Sequence, residues 1–237
     1  MSWKEEAKKK AALESVKLVK SGQIVGLGTG STIYYVVEEV GRRVREEGLR
    51  ILGIPTSNQT EAQAKKCGIS LTTLDEHPQI DIAIDGADQV DPDLNLIKGM
   101  GGALTREKIV DSASKYFVIV VDESKLSDKL GLNQPIPIEV IPMALTPVIN
   151  KIKKLGGKSN VRPPAKTAPS TAKYFITDNG NFVIDADFGE IKNAERLERE
   201  IKMIPGVVEN GLVINMTQKV YVGEKTGVKV IEKKMKR

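Results

Sequence analysis

Short apolar runs alternate with amphipathic stripes along the first half of the chain. The apolar runs are typical of buried strands, and stripes whose apolar residues recur at helical spacing are typical of helices. Helices are predicted at residues 5–20, 33–44, 61–67 and 104–115, and strands at 23–27, 49–54, 80–84 and 116–121. Strands that alternate with helices in this way predict a parallel, doubly wound sheet.

The pattern changes after Gly131. Residues 134–142 are rich in proline and predict an extended crossing into a second unit. The elements predicted beyond it are a strand at 136–140, a helix at 146–155, strands at 174–177 and 182–185, a helix at 193–203 and a strand from 207. This order predicts a small ferredoxin-like domain, in which the basic, proline-containing residues 158–173 form a mobile surface connection.

The end of the chain is predicted to return to the first domain. Residues 219–223 and 228–231 predict a hairpin of two strands. The fold class is therefore α/β, a doubly wound, mostly parallel, Rossmann-like sheet with a second, smaller α+β domain. We predict a Rossmann-like domain at 1–132 plus 209–237 and a ferredoxin-like domain at 133–208.

Composition excludes several classes of protein. The single Cys67 excludes an internal disulfide framework, and no apolar run reaches the roughly 20 residues of a membrane span. The N-terminal residues carry charges of both signs with no apolar segment behind them, which is unlike a signal peptide. We therefore expect a cytoplasmic protein without a membrane partner.

The net charge of +5 invites a nucleic-acid role. However, the lysines are interleaved with glutamates, and only 4% of the residues are aromatic side chains that could stack on bases. A modest positive field suits a small anionic substrate instead, and we predict no nucleic-acid partner.

A glycine-rich loop, residues 26–32, lies between the first predicted strand and its helix. Glycines let the backbone approach an anion, and the N–H groups of a helix start, with the Ser31 and Thr32 hydroxyls, can hold a phosphate. Ser31 replaces the third glycine of a dinucleotide fingerprint, and no Gly-Lys-Ser/Thr follows. The loop predicts a phosphate or sugar-phosphate cradle, with a purely structural tight turn as the alternative.

Acids and a lysine follow the strand at 80–84. Asp85 and Asp88 lie at its end, and Lys98, a glycine cluster and Glu107 come shortly afterwards. Carboxylates and a cation at a strand end predict a proton-transfer site, although aspartate and glycine are also common turn formers.

The i+4 neighbour of Glu107, Asp111, is a like charge that offers no ion pair. We expect Glu107 on the exposed side of a helix whose apolar stripe is Leu104, Ile109 and Val110.

Other polar residues have plainer explanations. Residues 54–60 form a second polar strand-to-helix loop, which helix capping by Ser57 or Asn58 explains. His77 is the only histidine and Cys67 the only cysteine, so we predict no metal site.

Seven blocks, in this order, resemble ribose-5-phosphate isomerases of the A type, and the resemblance extends over nearly the whole chain. The blocks are residues 26–32, 85–88, 98–108, 122–125, 137–144, 177–181 and 204–208. The resemblance implies interconversion of D-ribose 5-phosphate and D-ribulose 5-phosphate in the pentose phosphate pathway, without a metal or organic cofactor. We expect a homodimer or homotetramer whose partner is a small sugar phosphate.

The resemblance also implies roles for individual residues. Glu107 takes the place of the proton acceptor. The substrate-binding places fall on Thr29, Gly30, Ser31, Thr32, Asp85, Gly86, Ala87, Asp88, Lys98, Gly99, Met100, Gly101 and Lys125. Lys8 lies where a family member reaches the phosphate. Gln89 and Met100 depart from the family pattern, and Met100 interrupts a glycine run.

The implied chemistry needs such groups. Aldose-to-ketose isomerisation moves a proton from C2 to C1 through an enediol, so one carboxylate can take and return it. The enediolate oxygen needs a donor such as Lys98 or the amides of residues 99–102. Asp85 or Asp88 can assist ring opening, and the sequence does not decide between them. A non-catalytic sugar-phosphate sensor and a coenzyme A transferase-like enzyme are the alternatives.

Overall fold

The structure is a computed structural model that describes residues 2–233. It divides into two compact units. Unit 1 comprises residues 2–87, 106–126 and 215–233, and unit 2 comprises residues 88–105 and 127–214. Residues 88–105, which the predicted division placed in the first domain, belong to unit 2. The domain boundaries remain a prediction, and the last four residues of the predicted first domain lie outside the described residues.

Helices and strands are numbered along the chain. The helices are α1 (Trp3–Val16), α2 (Ser31–Glu47), α3 (Asn58–Lys66), α4 (Leu104–Ser112), α5 (Leu145–Lys154) and α6 (Ala194–Lys202), with 3-10 turns at Glu123–Lys125 and Pro142–Ala144. The strands are β1 (Ile24–Leu27), β2 (Leu52–Pro55), β3 (Ile82–Asp85), β4 (Gln89–Val90), β5 (Leu96–Ile97), β6 (Phe117–Asp122), β7 (Ile136–Val140), β8 (Lys158–Val161), β9 (Phe182–Asp187), β10 (Val207–Asn210), β11 (Leu212–Val213), β12 (Lys219–Gly223) and β13 (Val228–Glu232).

The central sheet of unit 1 has the strand order β13-β12-β6-β3-β1-β2. Its strands pair in parallel except for β13, which pairs antiparallel with β12 as the predicted hairpin. All six residues of β6 are buried, as expected of a strand covered on both faces. The predicted parallel, doubly wound sheet is confirmed.

Helices cover this sheet with small and β-branched residues. α1 presents Ala7, Ala11 and Ala12, which are all buried, and a Cβ added at Gly223 of β12 would lie 2.1 Å from the Ala7 carbonyl oxygen. This close approach explains how a helix with little apolar surface packs on the sheet. α1 ends at Val16 rather than at the predicted residue 20.

Unit 2 contains a four-stranded antiparallel sheet with the order β10-β7-β9-β8. The element order β7-α5-β8-β9-α6-β10 is that of a ferredoxin-like domain, which confirms the predicted class. Its apolar core includes Ile138, Val140, Val148, Ile152 and Ile201.

The second strand of this sheet lies elsewhere than predicted. It is β8 (Lys158–Val161), within the segment predicted as a mobile connection, and residues 174–177 contribute only one isolated bridge, between Ile176 and Phe182. β8 is an edge strand with exposed polar side chains, so it lacks the apolar signal of a buried strand. The prediction of a mobile connection is therefore wrong for residues 158–162.

A three-stranded sheet, β11-β5-β4, completes unit 2. Each of its strands has two residues, too few for any periodicity to reveal. Within residues 2–233, no helix is long and apolar enough to span a membrane.

Candidate functional site

Two of the predicted motifs meet where β1 and β3 end in unit 1. The Gly28 N–H donates to the Ile84 carbonyl oxygen at 3.0 Å, and a Cβ added at Gly28 would lie 2.0 Å from Asp85 Oδ1. Asp85 is fully buried, and its Oδ1 accepts hydrogen bonds from the Thr29 N–H at 3.0 Å and the Gly86 N–H at 2.7 Å. The predicted phosphate loop and the predicted acid are thus parts of one structure, and only glycine fits at position 28.

The Thr29 hydroxyl is held by the loop that follows β2. It lies 2.7 Å from Thr56 Oγ1, 2.8 Å from Ser57 Oγ and 3.1 Å from Thr60 Oγ1. Ser57 also caps α3 by accepting from the Thr60 N–H at 3.1 Å, as predicted, while the Thr60 hydroxyl donates to the Gly28 carbonyl oxygen. Residues 56–60 therefore support the glycine-rich loop as well as cap a helix, a second role that the sequence analysis missed.

The N-terminus of α2 carries the features expected of an anion site. Gly30 is its N-cap with φ of +117°, a conformation that favours glycine, and among the described residues no side chain caps the helix. Ser31 is exposed, and Lys8 Nζ donates to its Oγ at 3.0 Å. Free N–H groups, a hydroxyl and an ammonium group at one helix start are suited to bind a phosphate.

Lys8 is fixed by a second contact in the same unit. Its Nζ donates to Glu5 Oε1 at 2.8 Å, and the Tyr35 hydroxyl donates to Glu5 Oε2 at 2.9 Å. The hydrogen bond from Lys8, followed by that from Tyr35, lowers the pKa of Glu5. Lys125 lies half-buried in the 3-10 turn that follows β6.

Glu107 is buried, contrary to expectation. It is 5% exposed and Asp111, one turn later, is 2% exposed, whereas Ile109 of the predicted apolar stripe is 50% exposed. Carboxylates are seldom buried without a reason, because desolvation of a charged group is costly. The expectation that Glu107 lies on the exposed side of α4 is therefore wrong, and so is the expectation that Ile109 belongs to a buried apolar stripe.

α4 packs on the central sheet through Val110. Val110 of α4 packs with Ile54 and Ile80, and a Cβ added at Gly26 of β1 would lie 2.9 Å from it. In an open α/β sheet, helices run back across the strands, so the first turns of a helix lie near the strand ends where ligands bind. Because Glu107 lies one turn before Val110, we expect it to lie toward that edge.

In unit 2, Asp88 is hydrogen-bonded to the second glycine loop, which comprises residues 98–102. The Met100 N–H donates to Asp88 Oδ2 at 2.9 Å, and the Gly102 N–H donates to the Gly99 carbonyl oxygen at 2.9 Å. Gly99 and Gly102 have φ of +100° and +84°. Lys98, at the start of this loop, is only 2% exposed. The predicted binding loop is therefore a defined tight turn.

The predicted site residues form two groups. Unit 1 holds Thr29, Gly30, Ser31, Thr32, Asp85, Gly86, Ala87, Glu107 and Lys125, and unit 2 holds Asp88, Lys98, Gly99, Met100 and Gly101.

No metal centre is evident in the described part of the chain, where His, Cys, Asp and Glu side chains form no group of three able to hold an ion. His77 Nδ1 lies 2.8 Å from Thr72 Oγ1, which gives the only histidine a structural partner.

The family model and the curated relatives agree on one family. Residues 52–227 match the family model of ribose 5-phosphate isomerase A (phosphoriboisomerase A). The chain is 51% identical to a ribose-5-phosphate isomerase A of Methanosarcina acetivorans, over 94% of this chain and 93% of that one. It is 50% identical to that of Methanothermobacter thermautotrophicus, over 94% and 96%.

Solved structures agree. The structure of ribose 5-phosphate isomerase A from Methanocaldococcus jannaschii matches with a TM-score of 0.91 and 49% identity, covering 96% of this chain and 99% of that one. A D-ribose-5-phosphate isomerase solved in complex with phospho-erythronic acid matches with a TM-score of 0.93 and 42% identity, covering 98% and 100%. The chain belongs to the ribose 5-phosphate isomerase A family.

Proposed function

We propose that this protein interconverts D-ribose 5-phosphate and D-ribulose 5-phosphate, an aldose–ketose isomerisation of the pentose phosphate pathway. Family membership supports the reaction, and one observation carries the mechanism: the side chain of Glu107 is buried on the first turns of α4. An enediol pathway needs one carboxylate shielded from bulk water beside the C1–C2 bond.

Glu107 is the proton acceptor in this proposal. Its carboxylate removes the proton from C2 of the open-chain aldose, and the C1 oxygen gains a proton to give the enediol. The protonated carboxyl group then delivers a proton to C1 while the C2 hydroxyl loses its proton, so the net change is one proton from C2 to C1 and one from the C2 oxygen to the C1 oxygen. A single base suffices, because C1 and C2 are adjacent and lie within reach of one carboxylate.

The second requirement is a donor for the enediolate oxygen. We assign it to Lys98, because the Met100 and Gly102 amides are engaged by Asp88 and the Gly99 carbonyl oxygen. An ammonium group held away from water stabilises a developing oxyanion more strongly than one in solvent. Thr29, Gly86 and Ala87 complete the proposed contacts with the sugar.

The acids Asp85 and Asp88 are assigned to ring opening and to holding the sugar hydroxyls. Both are oriented by backbone amides, Asp85 by Thr29 and Gly86 and Asp88 by Met100. Replacing each with asparagine and comparing turnover of the closed-ring substrate separates the two roles.

The 5-phosphate is proposed to bind at the start of α2. Gly30, Ser31 and Thr32 offer amides and hydroxyls there, and the contact between Lys8 and Ser31 adds a positive charge. Lys125 is the second proposed cation. We further propose a cytoplasmic enzyme that works without a cofactor as a homodimer or homotetramer.

A coupled assay of ribulose 5-phosphate formation, run with and without a chelator, tests the function. We expect turnover with either buffer, because the enediol pathway asks only for carboxylates and donors. Binding of ribose 5-phosphate without turnover would instead indicate a sugar-phosphate sensor. Loss of activity with chelator and its return with a divalent ion would overturn the metal-independent mechanism.

A further inference from the structure

A buried arginine of unit 2 grips the second glycine loop. Arg162, directly after β8, is 8% exposed. Its Nη1 donates to the Gly99 carbonyl oxygen at 3.1 Å and to the Met100 carbonyl oxygen at 3.0 Å. Its Nε and Nη2 donate to the two carboxylate oxygens of Asp185, at 3.0 and 2.5 Å. The guanidinium group thus joins the loop to β9 through four hydrogen bonds.

The sheet and one aromatic ring hold Arg162 in place. Its N–H donates to the Val183 carbonyl oxygen, and its own carbonyl oxygen accepts from the Phe175 N–H, at 2.9 and 3.0 Å. The guanidinium carbon lies 5.6 Å from the centre of the Phe175 ring. The same ring closes off Gly102, where an added Cβ would lie 2.4 Å from it.

These contacts determine which way two peptide groups of the loop face. In a trans peptide, the C=O and N–H groups point in opposite directions. Because Arg162 holds the Gly99 carbonyl, the N–H of the same peptide, that of Met100, points away from Arg162 and donates to Asp88. Because Arg162 also holds the Met100 carbonyl, the Gly101 N–H points away from the guanidinium group.

The peptide groups of a glycine-rich loop need hydrogen bonds such as these to hold one orientation. Glycine populates positive and negative φ about equally, so peptide groups flanked by Gly99 and Gly101 can reverse at little steric cost. A reversal would withdraw the amide from Asp88 and turn a carbonyl oxygen toward it. The planar fork of arginine can bind two carbonyls and a carboxylate at once, which a lysine ammonium group cannot do in the same geometry.

We propose that Arg162 is a positioning residue for the isomerisation: it fixes the Gly99–Gly101 peptides so that Asp88 is correctly oriented and the Gly101 amide is presented on the side of the loop opposite Arg162. The inference rests on the proposed function. Arg162 does not contact the substrate, and it acts through the loop.

The test compares Arg162→Lys with the wild type. We expect kcat to fall about 10- to 100-fold, the scale of a small misplacement of catalytic groups. KM for ribose 5-phosphate should change by less than about threefold, because the proposed phosphate site lies in unit 1. Affinity for phospho-erythronic acid, whose planar carboxylate resembles the enediolate, should fall in parallel with kcat.

Three further variants keep the test decisive. Arg199→Lys is the matched control, since Arg199 pairs with Glu195 on the exposed side of α6 in the same unit, and it should leave kcat unchanged. Arg162→Ala should regain part of its kcat with added guanidinium ion, a rescue that a general loss of stability would not show. If Arg162→Lys does not fold, Asp185→Asn, which removes the anchor of the guanidinium group, replaces it with the same expected loss of kcat.

Failure of the inference is distinct from failure of the function. Wild-type protein that does not isomerise ribose 5-phosphate overturns the proposed function. Active wild type combined with an Arg162→Lys variant of unchanged kcat, or with a raised KM alone, overturns the role of Arg162.

Discussion

The hydroxyl of Thr105 donates a hydrogen bond to Glu139 Oε2, which joins the first turn of α4 to β7. Glu139 is fully buried, and its other oxygen accepts from Thr177 Oγ1 at 2.9 Å, Asn179 Nδ2 at 3.1 Å and Asn181 Nδ2 at 2.8 Å. Four neutral donors thus replace the water that a buried carboxylate has lost. The helix that carries Glu107 is anchored two residues before it.

Glu139→Gln should destabilise the protein. A glutamine amide brings an NH2 group against donors, so at least one charge-assisted hydrogen bond is lost and a donor is left without an acceptor. We expect the free energy of unfolding to fall by roughly 1.5–3 kcal/mol, measured by urea denaturation. Glu200→Gln, which alters an exposed pair with Arg196 on α6, is the control and should change stability by less than about 0.5 kcal/mol. Equal stabilities for the two variants would contradict the anchoring role.

Glu107→Gln should abolish most of the turnover while keeping the shape of the side chain. Removing the proton acceptor is expected to lower kcat by about 10² to 10⁴. Exchange of the substrate C2 proton with solvent deuterium, followed by NMR, should be lost together with turnover. Glu61→Gln, at a half-buried position on α3 where the side chain pairs with Lys65, should retain full activity. A Glu107→Gln variant with more than about a tenth of wild-type turnover would pass the role to Asp85 or Asp88.

Lys125→Ala and Lys8→Ala should each weaken binding of the phosphorylated sugar. We expect a loss of roughly 1–3 kcal/mol in affinity for ribose 5-phosphate, the range for hydrogen bonds to a charged group. Unphosphorylated ribose serves as the comparison ligand, because it lacks the group that the two lysines are proposed to bind. Calorimetry should show little effect of either change on the affinity for ribose. Lys9→Ala, exposed on α1, is the matched control. Equal losses for ribose and ribose 5-phosphate would show that neither lysine binds phosphate.

Asp81 should make the stability of unit 1 fall as the pH is lowered in the acidic range. The Ile24 N–H, at 2.9 Å from its Oδ2, and the Lys115 ammonium group, at 3.0 Å from its Oδ1, lower the pKa of Asp81. A carboxyl whose pKa is lower in the folded state stabilises the fold above its unfolded pKa, and the gain is lost as the pH falls through the folded pKa. Asp81→Asn should therefore be less stable than the wild type at neutral pH, and the difference should shrink below about pH 4.

Thermal unfolding between neutral and strongly acidic pH measures this difference. Asp75→Asn, at an exposed loop position, should follow the wild type at every pH. A gap between Asp81→Asn and the wild type that stayed constant with pH would rule out the carboxylate as its cause.

The parallel sheet and the ferredoxin-like order could be predicted because their strands and helices carry apolar periodicity. β8 could not, since its exposed lysine and asparagine belong to an edge strand. The burial of Glu107 could not be predicted either. An acidic residue is expected to be exposed unless its buried surroundings are known, and those surroundings come from distant parts of the chain. Arg162 was assigned to a loop for the same reason: its partners Gly99 and Asp185 lie 63 and 23 residues away.

The candidate site likewise has a part that could be predicted from the sequence and a part that could not. Its glycines and acids are local signals, visible as motifs. The hydroxyl group of Thr60 on α3 and the carboxylate of Glu139 on β7 support those motifs, and no spacing rule connects them.

The bonding of Met100 bears on how the family pattern tolerates change. Both peptide groups that flank its Cα are fixed through backbone atoms, by Asp88 and Arg162, while its side chain is 40% exposed and adds only a 3.9 Å contact between Sδ and Arg162 Nη2. The hydrogen bonds that fix the loop at position 100 are therefore made by backbone atoms, and they depend little on the type of side chain there. A methionine therefore fits within the glycine run, whereas Gly99 and Gly102, with their positive φ angles and crowded Cβ positions, are where a larger residue would be strained.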